Sequence, residues 1–183
     1  MTTILGLSGS LRQASLNRAL LRAAAELMPE GATLDVQGIE GIQLYDADVE
    51  AAEGLPPAVV ALKRRLRAAD GLLLATPEYN NSIPGVFKNA IDWLSRPPGE
   101  VSAHFAGKPV AVIGASPGGF GTILAQGAWL PVLRTLGTRP WFGKKLMLAR
   151  ADSLMDETHS LTDAAAREKL SAFLEGFVAF VRE

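Results

Sequence analysis

Residues 6–18 read GLSGSLRQASLNR. The apolar run TTIL (2–5) precedes them and ALLRAAAELM (19–28) follows. Leu16, Ala19, Leu20, Ala23, Ala24 and Leu27 recur at helical spacing until Pro29 stops them, so the stretch turns a buried strand into an amphipathic helix. A helix N-terminus carries N–H groups that no intrahelical carbonyl uses, and it attracts anions. Ser10 and Ser15 add hydroxyls and Arg12 a charged fork, with Ser15 standing where it also caps the helix. These are the donors of a phosphate-monoester site. Asn17, in the first turn, either binds the same phosphate or ties the neighbouring loop. Without a ligand the same residues amount to a capped helix and a surface arginine, so the rest of the chain has to decide.

Other phosphate and catalytic motifs fit less well. GxxxxGK[ST] occurs nowhere, which removes the lysine and magnesium-binding hydroxyl of a nucleoside triphosphate loop. The dinucleotide pattern GxGxxG is missed, with serines where a pyrophosphate wants close backbone. Gly6, Ser8 and Ser10 also fail the GxSxG elbow of a serine hydrolase. His104 lies in a polar connection and His159 before the last helix; both read as exposed residues rather than bases. No histidines and carboxylates have metal-ligand spacing, and no residue stands out as a catalytic acid, base or nucleophile.

The remaining chain alternates. TLDVQGI (33–39) reads as a second strand with Leu34 and Val36 on one side, and 38–57 reads as a loop. A helix starts at Pro57 with AVVALKRRLRAA, its basic run Lys63, Arg64, Arg65 and Arg67 forming a solvated face. GLLLAT (71–76) is a strand buried on both faces. Pro84–Leu94 is a proline-started helix. KPVAVIGA (108–115) is the fourth strand, followed by a glycine-rich turn and a helix over ILAQGAWLPVLRTL that Pro131 is placed to kink. TRPWFGKKLMLA contains a fifth strand, and the chain ends in a helix capped by Thr162 or Asp163 with Leu170, Phe173, Leu174, Phe177 and Val178 on one face.

Continuous apolar strands separated by helices imply a parallel sheet covered on both sides, an open three-layer α/β fold whose binding edge lies at the carboxyl ends of the strands. The 183 residues fit one domain, 1–183. A net charge of −1 gives no general attraction to nucleic acid or anionic membrane. Cysteine is absent, excluding disulfides and thiolate chemistry. No signal peptide or membrane span is visible, so a cytoplasmic location is expected.

Three polar loops, 8–15, 76–83 and 115–121, fall at the carboxyl edge. In TPEYNNSIPG (76–85), Pro77 fixes one backbone angle, Asn80 and Asn81 tolerate unusual dihedrals, Tyr79 offers an aromatic face and Glu78 an acceptor. SPGGFG (116–121) lets backbone approach a ring closely, and Ser116 adds a hydroxyl. Alone, each reads equally as a helix-entry turn. Together they pair a phosphate end with a planar-ring end, the shape of riboflavin phosphate.

Through GSLRQASLNR (9–18), TPEYNNSIPGVFKNAIDWLSRP (76–97) and GASPGG (114–119), the chain closely resembles the NAD(P)H-dependent FMN reductases, flavodoxin-like proteins that include bacterial quinone, chromate and azo-dye reductases. The resemblance implies a five-stranded parallel sheet in the order 2-1-3-4-5. It implies that Ser10, Arg12, Ser15, Leu16 and Asn17 hold the FMN phosphate, that Pro77, Glu78, Tyr79 and Asn80 face the isoalloxazine ring, and that Ser116, Gly118 and Gly119 flank it. It also implies NADPH or NADH as electron donor, a ping-pong hydride transfer to a quinone or similar acceptor, and a homodimer or homotetramer. Phe87, Ile91 and Trp93 are read as core before interface. Arg18, Arg96 and Arg139 are conceivable partners for a donor's phosphate, with nothing to choose among them. The competing readings are a flavodoxin-like electron carrier or regulatory FMN module, and a cofactor-free phosphate-ester enzyme.

Overall fold

The computed structural model describes all residues, 1–183. Strand β1 (Thr2–Ser8) leads through the first loop into helix α1 (Leu16–Glu26), then β2 (Ala32–Gln37). Helices α2 (Ala47–Glu53) and α3 (Pro57–Ala68) precede β3 (Gly71–Ala75), and α4 (Gly85–Leu94) and the short α5 (Val101–Phe105) precede β4 (Pro109–Ala115). Then come α6 (Ile123–Thr135), the two-residue strands β5 (Arg139–Pro140) and β6 (Met147–Leu148), and α7 (Ala164–Val181).

All pairings are parallel and the order is β2-β1-β3-β4-β5, the flavodoxin-like order. Side chains alternate across the sheet. Leu5, Leu7, Leu72, Leu74 and Val110 pack beneath α3, α4 and α6 with Val59, Leu66, Phe87, Ile91, Trp93 and Trp129. Ile4, Leu73, Ala111 and Ile113 pack beneath α1 and α7 with Leu20, Leu21, Phe173 and Phe177. Burying each of these large side chains contributes about 1.5–3 kcal/mol, which commits both faces of the sheet to cover. Phe87, Ile91 and Trp93 are core. No helix is long and apolar enough to cross a membrane.

Four expectations change. Residues 38–57 are not all loop: Asp46 caps α2 by accepting from Asp48 N–H, and Gly54 ends it at φ 76°. The fifth strand is split. Trp141 N–H donates to Val110 O while Gly114 and Ser116 N–H donate to Leu146 O and Leu148 O, so β5 and β6 lie along one edge of β4 with residues 142–145 looped out between them. Lys63 is not on the solvated face: it is 5% exposed, and its ammonium donates to Arg96 O and to Glu100. His104 is buried too, with Nδ1 at 2.8 Å from Glu100 O. As expected, Pro131 lies inside helix α6.

Candidate flavin-binding edge

The first loop begins where β1 ends beside β3, with Gly9 N–H donating to Ala75 O at 3.0 Å. A Cβ on Gly9 would overlap the Phe87 ring, so glycine lets the loop lie directly on α4. Ser10 and Ser15 are nearly buried. Ser10 Oγ accepts from Arg12 N–H at 3.3 Å, and Ser15 Oγ caps α1 by accepting from Arg18 N–H at 3.2 Å. Each hydroxyl keeps its own proton for another acceptor. The N–H groups of Leu16 and Asn17, in the first helical turn, have no acceptor within the chain. The exposed Arg12 guanidinium pairs with no carboxylate. Two hydroxyls, two backbone N–H groups and a free guanidinium are what an anionic phosphate requires.

Asn17 uses its side chain to tie the loops. Nδ2 donates to Ala115 O at 2.8 Å and Oδ1 accepts from Ala115 N–H at 2.9 Å. Of the two roles open in the sequence, the amide performs the second.

The second loop leaves β3 with Thr76 N–H donating to Ile113 O and Thr76 Oγ1 to Pro77 O. Tyr79 and Ser82 exchange both backbone hydrogen bonds across Asn80 and Asn81, whose φ values are 49° and 61°. Positive φ at both central residues makes this a type I′ turn, which asparagine tolerates. The turn leaves Tyr79 45% exposed. Glu78 Oε2 accepts from Leu124 N–H at 2.8 Å and Ala125 N–H at 2.9 Å, at the start of α6.

The third loop is held by its neighbours. Ser116 N–H donates to Leu148 O, Ser116 O accepts from Ala151 N–H, and Gly118 O accepts from Arg150 N–H. Ser116 Oγ donates to Gly121 O at 2.7 Å and accepts from Gly118 N–H at 3.2 Å. Its hydroxyl therefore shapes the loop.

The three loops meet around a depression of about 80 Å³ lined by Ser10, Arg12, Ser15, Leu16, Asn17, Pro77, Glu78, Tyr79, Ala115, Ser116 and Pro117. Nine of the twelve residues anticipated from the sequence line it; Asn80, Gly118 and Gly119 lie in the same loops outside that lining. Ala115 and Pro117 were not anticipated, although both lie within the GASPGG run. The volume is well below the roughly 300–1,000 Å³ of an enclosed ligand pocket, so the depression is an open edge and not a closed cavity. A larger cavity of about 260 Å³ lies elsewhere, between α6 and the interrupted edge of the sheet. Its lining is mainly apolar and lacks the first loop's convergent donors.

None of the three arginines considered for a donor's phosphate is free. Arg18 pairs with Glu40. Arg96 lies 3.8 Å from Glu50 and stacks over Tyr45. Arg139 stacks over Phe180 and donates to its carbonyl. The displaced pKa values also have causes away from the loops. Desolvation and the Glu50 hydrogen bond raise Tyr45, the Lys63 hydrogen bond lowers Glu100, burial lowers Lys108, and the Thr158 hydroxyl lowers Asp156.

The family described as NADPH-dependent FMN reductase matches residues 2–152. An NAD(P)H-dependent FMN reductase of Pseudomonas aeruginosa is 45% identical over 179 residues, covering 98% of this chain and 95% of that protein. A 2-hydroxy-1,4-benzoquinone reductase of a Burkholderia species is 37% identical over 175 residues, covering 96% and 93%. Among solved structures, the flavoenzyme NAD(P)H:(acceptor) oxidoreductase of Paracoccus denitrificans superimposes with a TM-score of 0.87 at 34% identity, covering 100% of this chain and 98% of that one.

Proposed function

Since this chain belongs to the NADPH-dependent FMN reductase family, we propose that it is an FMN-dependent reductase taking electrons from NADPH or NADH and passing them to a quinone or similar small acceptor. The observation that carries this reading is the set of unclaimed donors at the first loop, set beside a backbone-rich loop on the same sheet edge. Ser10, Arg12, Ser15 and the N–H groups of Leu16 and Asn17 hold the FMN phosphate. The backbone of Pro77, Glu78, Tyr79 and Asn80 addresses the polar edge of the ring, and Ser116, Gly118 and Gly119 flank it. FMN, when bound, supplies hydride acceptance from nicotinamide and delivery to the oxidant, in turn, at one open face. The chain positions the cofactor, leaves that face accessible and supplies no acid, base or nucleophile of its own.

Residues 1–183 act as one FMN-binding domain. The exposed apolar side chains Phe120, Ile123, Leu124, Leu130 and Phe142, on and beside α6, support assembly into a homodimer or homotetramer. The test is an anaerobic absorbance spectrum of protein reconstituted with FMN, before and after NADPH or NADH. Prompt bleaching of the flavin bands, reversed by a quinone, is the expected result. FMN that binds but stays oxidised with both donors favours an electron carrier or regulatory module, and failure to bind FMN overturns the phosphate-site reading.

A further inference from the structure

The N-terminus of α6 lacks the cap its own sequence offers. Thr122 occupies the N-cap position, yet its side chain makes no capping bond. It is fully buried, and its Oγ1 accepts from Gln126 Nε2 at 3.2 Å. The N–H groups of Leu124 and Ala125, which a capping side chain normally takes, donate instead to Glu78 Oε2, from 46 and 47 residues away. A carboxylate there also meets the positive end of the helix dipole. Glu78 is partly exposed and lines the depression. It joins the second loop to the helix that follows the third, and Glu78 Oε1 has no partner within the chain.

We propose that Glu78 is a positioning residue whose carboxylate holds the backbone of 77–80 against the start of α6, setting the gap between the two loops that flank the ring end. This rests on the FMN reading above and adds a role to one residue of that site. The consequence is a preformed ring slot: the loops keep their separation in the apo protein, and FMN does not have to order them on arrival.

The test compares Glu78→Gln and Glu78→Ala with Asp163→Ala. Asp163 caps α7 by accepting from Ala166 N–H at 2.7 Å, so its loss removes a helix cap without touching either loop. Hydrogen exchange of the apo proteins is read over 77–82 and 116–125, and FMN affinity is read by quenching of flavin fluorescence. In Glu78→Ala, exchange rises together in both segments and FMN affinity falls roughly tenfold or more, as for loss of charge-assisted bonds. Glu78→Gln, which keeps an acceptor oxygen but not the charge, recovers part of both. Asp163→Ala lowers Tm yet binds FMN within about twofold of wild type, in keeping with additivity for distant sites. If Glu78→Ala loosens only Leu124 and Ala125 and its FMN titration matches that of Asp163→Ala, Glu78 is a helix cap and the positioning role is overturned. If the wild type itself fails to bind FMN, the flavin reading falls, while the exchange data still decide whether Glu78 couples the two loops.

Discussion

Replacing Asn17 tests how the first loop is tied to the rest of the candidate binding edge. Its amide is 3% exposed and satisfies both backbone groups of Ala115, the last residue of β4. Asn17→Ala leaves that N–H and C=O without partners, and each buried orphan costs about 1–3 kcal/mol. Two such groups sum to about 2–6 kcal/mol; the depression beside them admits water, so the lower half of that range, about 2–4 kcal/mol, is expected. At roughly 2–4 °C per kcal/mol for a protein of this size, Tm falls by about 5–15 °C.

Asn17→Asp separates the two bonds. The carboxylate still accepts from Ala115 N–H but sets its second oxygen against Ala115 O. Burial against a carbonyl raises the folded-state pKa of the new carboxyl above the roughly 3.9 of an unfolded aspartate. A group with a raised folded pKa is most favourable to the fold below its unfolded value, and it loses that contribution as pH rises through the folded value. Protonated, the aspartic acid donates to Ala115 O and mimics the amide; ionised, it repels. The Asp variant therefore lies near wild type at the acid end and falls to the level of the Ala variant or lower by about pH 8, while the Ala variant keeps a constant gap. Calorimetry or denaturant unfolding of the three apo proteins across that range measures it. An Asn17→Ala variant within about 0.5 kcal/mol of wild type, or an Asp variant whose deficit ignores pH, refutes the reasoning that these bonds carry the tie.

Arg12→Ala should leave apo stability unchanged, because the exposed guanidinium makes no ion pair in the chain; fluorescence titration should show FMN affinity falling about 10- to 150-fold, the equivalent of a charged hydrogen bond of about 1.5–3 kcal/mol. Riboflavin, without the phosphate, should bind both proteins equally, and an equal loss for riboflavin would remove Arg12 from the phosphate end. Lys63→Met should lower Tm more at pH 7 than at pH 3. Its hydrogen bond holds the Glu100 carboxyl below the usual carboxylate range, and a depressed folded pKa contributes stability above the unfolded value that is lost as pH falls through the folded one. A Tm gap independent of pH would show that the Lys63–Glu100 pair contributes nothing.

The elements readable in the sequence are those whose signal is their own burial. Leu72, Leu73 and Leu74 are covered on both faces and appear as an unbroken apolar run. The last helix shows its stripe because Leu170, Phe173, Leu174 and Phe177 all enter the core. Helix α2 buries no residue, so no stripe exists to find; its only signals were Asp46 as cap, Asp48 and Glu50 in the first turn, and Gly54 past the end. Lys63 resembles its neighbours Arg64, Arg65 and Arg67 as a sequence letter. What distinguishes it is the carbonyl of Arg96 and the carboxylate of Glu100, brought over it by a segment more than thirty residues later. The split fifth strand hides for a related reason: two residues on each side of a loop are too few for any periodicity.

The same division runs through the site. The candidate phosphate donors were legible because their geometry is local: a serine at the N-cap, a hydroxyl and an arginine within five residues of it, and N–H groups freed by the helix start itself. The bonds that hold the loops to one another reach across 98 residues from Asn17 and 46 from Glu78. For both residues the sequence specified a polar group in the right loop and left its partner open. That asymmetry follows from what each kind of bond does. A ligand-binding donor must keep a hydrogen that no group of the chain accepts, so its chemistry is visible in its type and position. A donor or acceptor that fixes one loop against another is consumed inside the protein, and its role depends on a partner that only the folded sheet brings near.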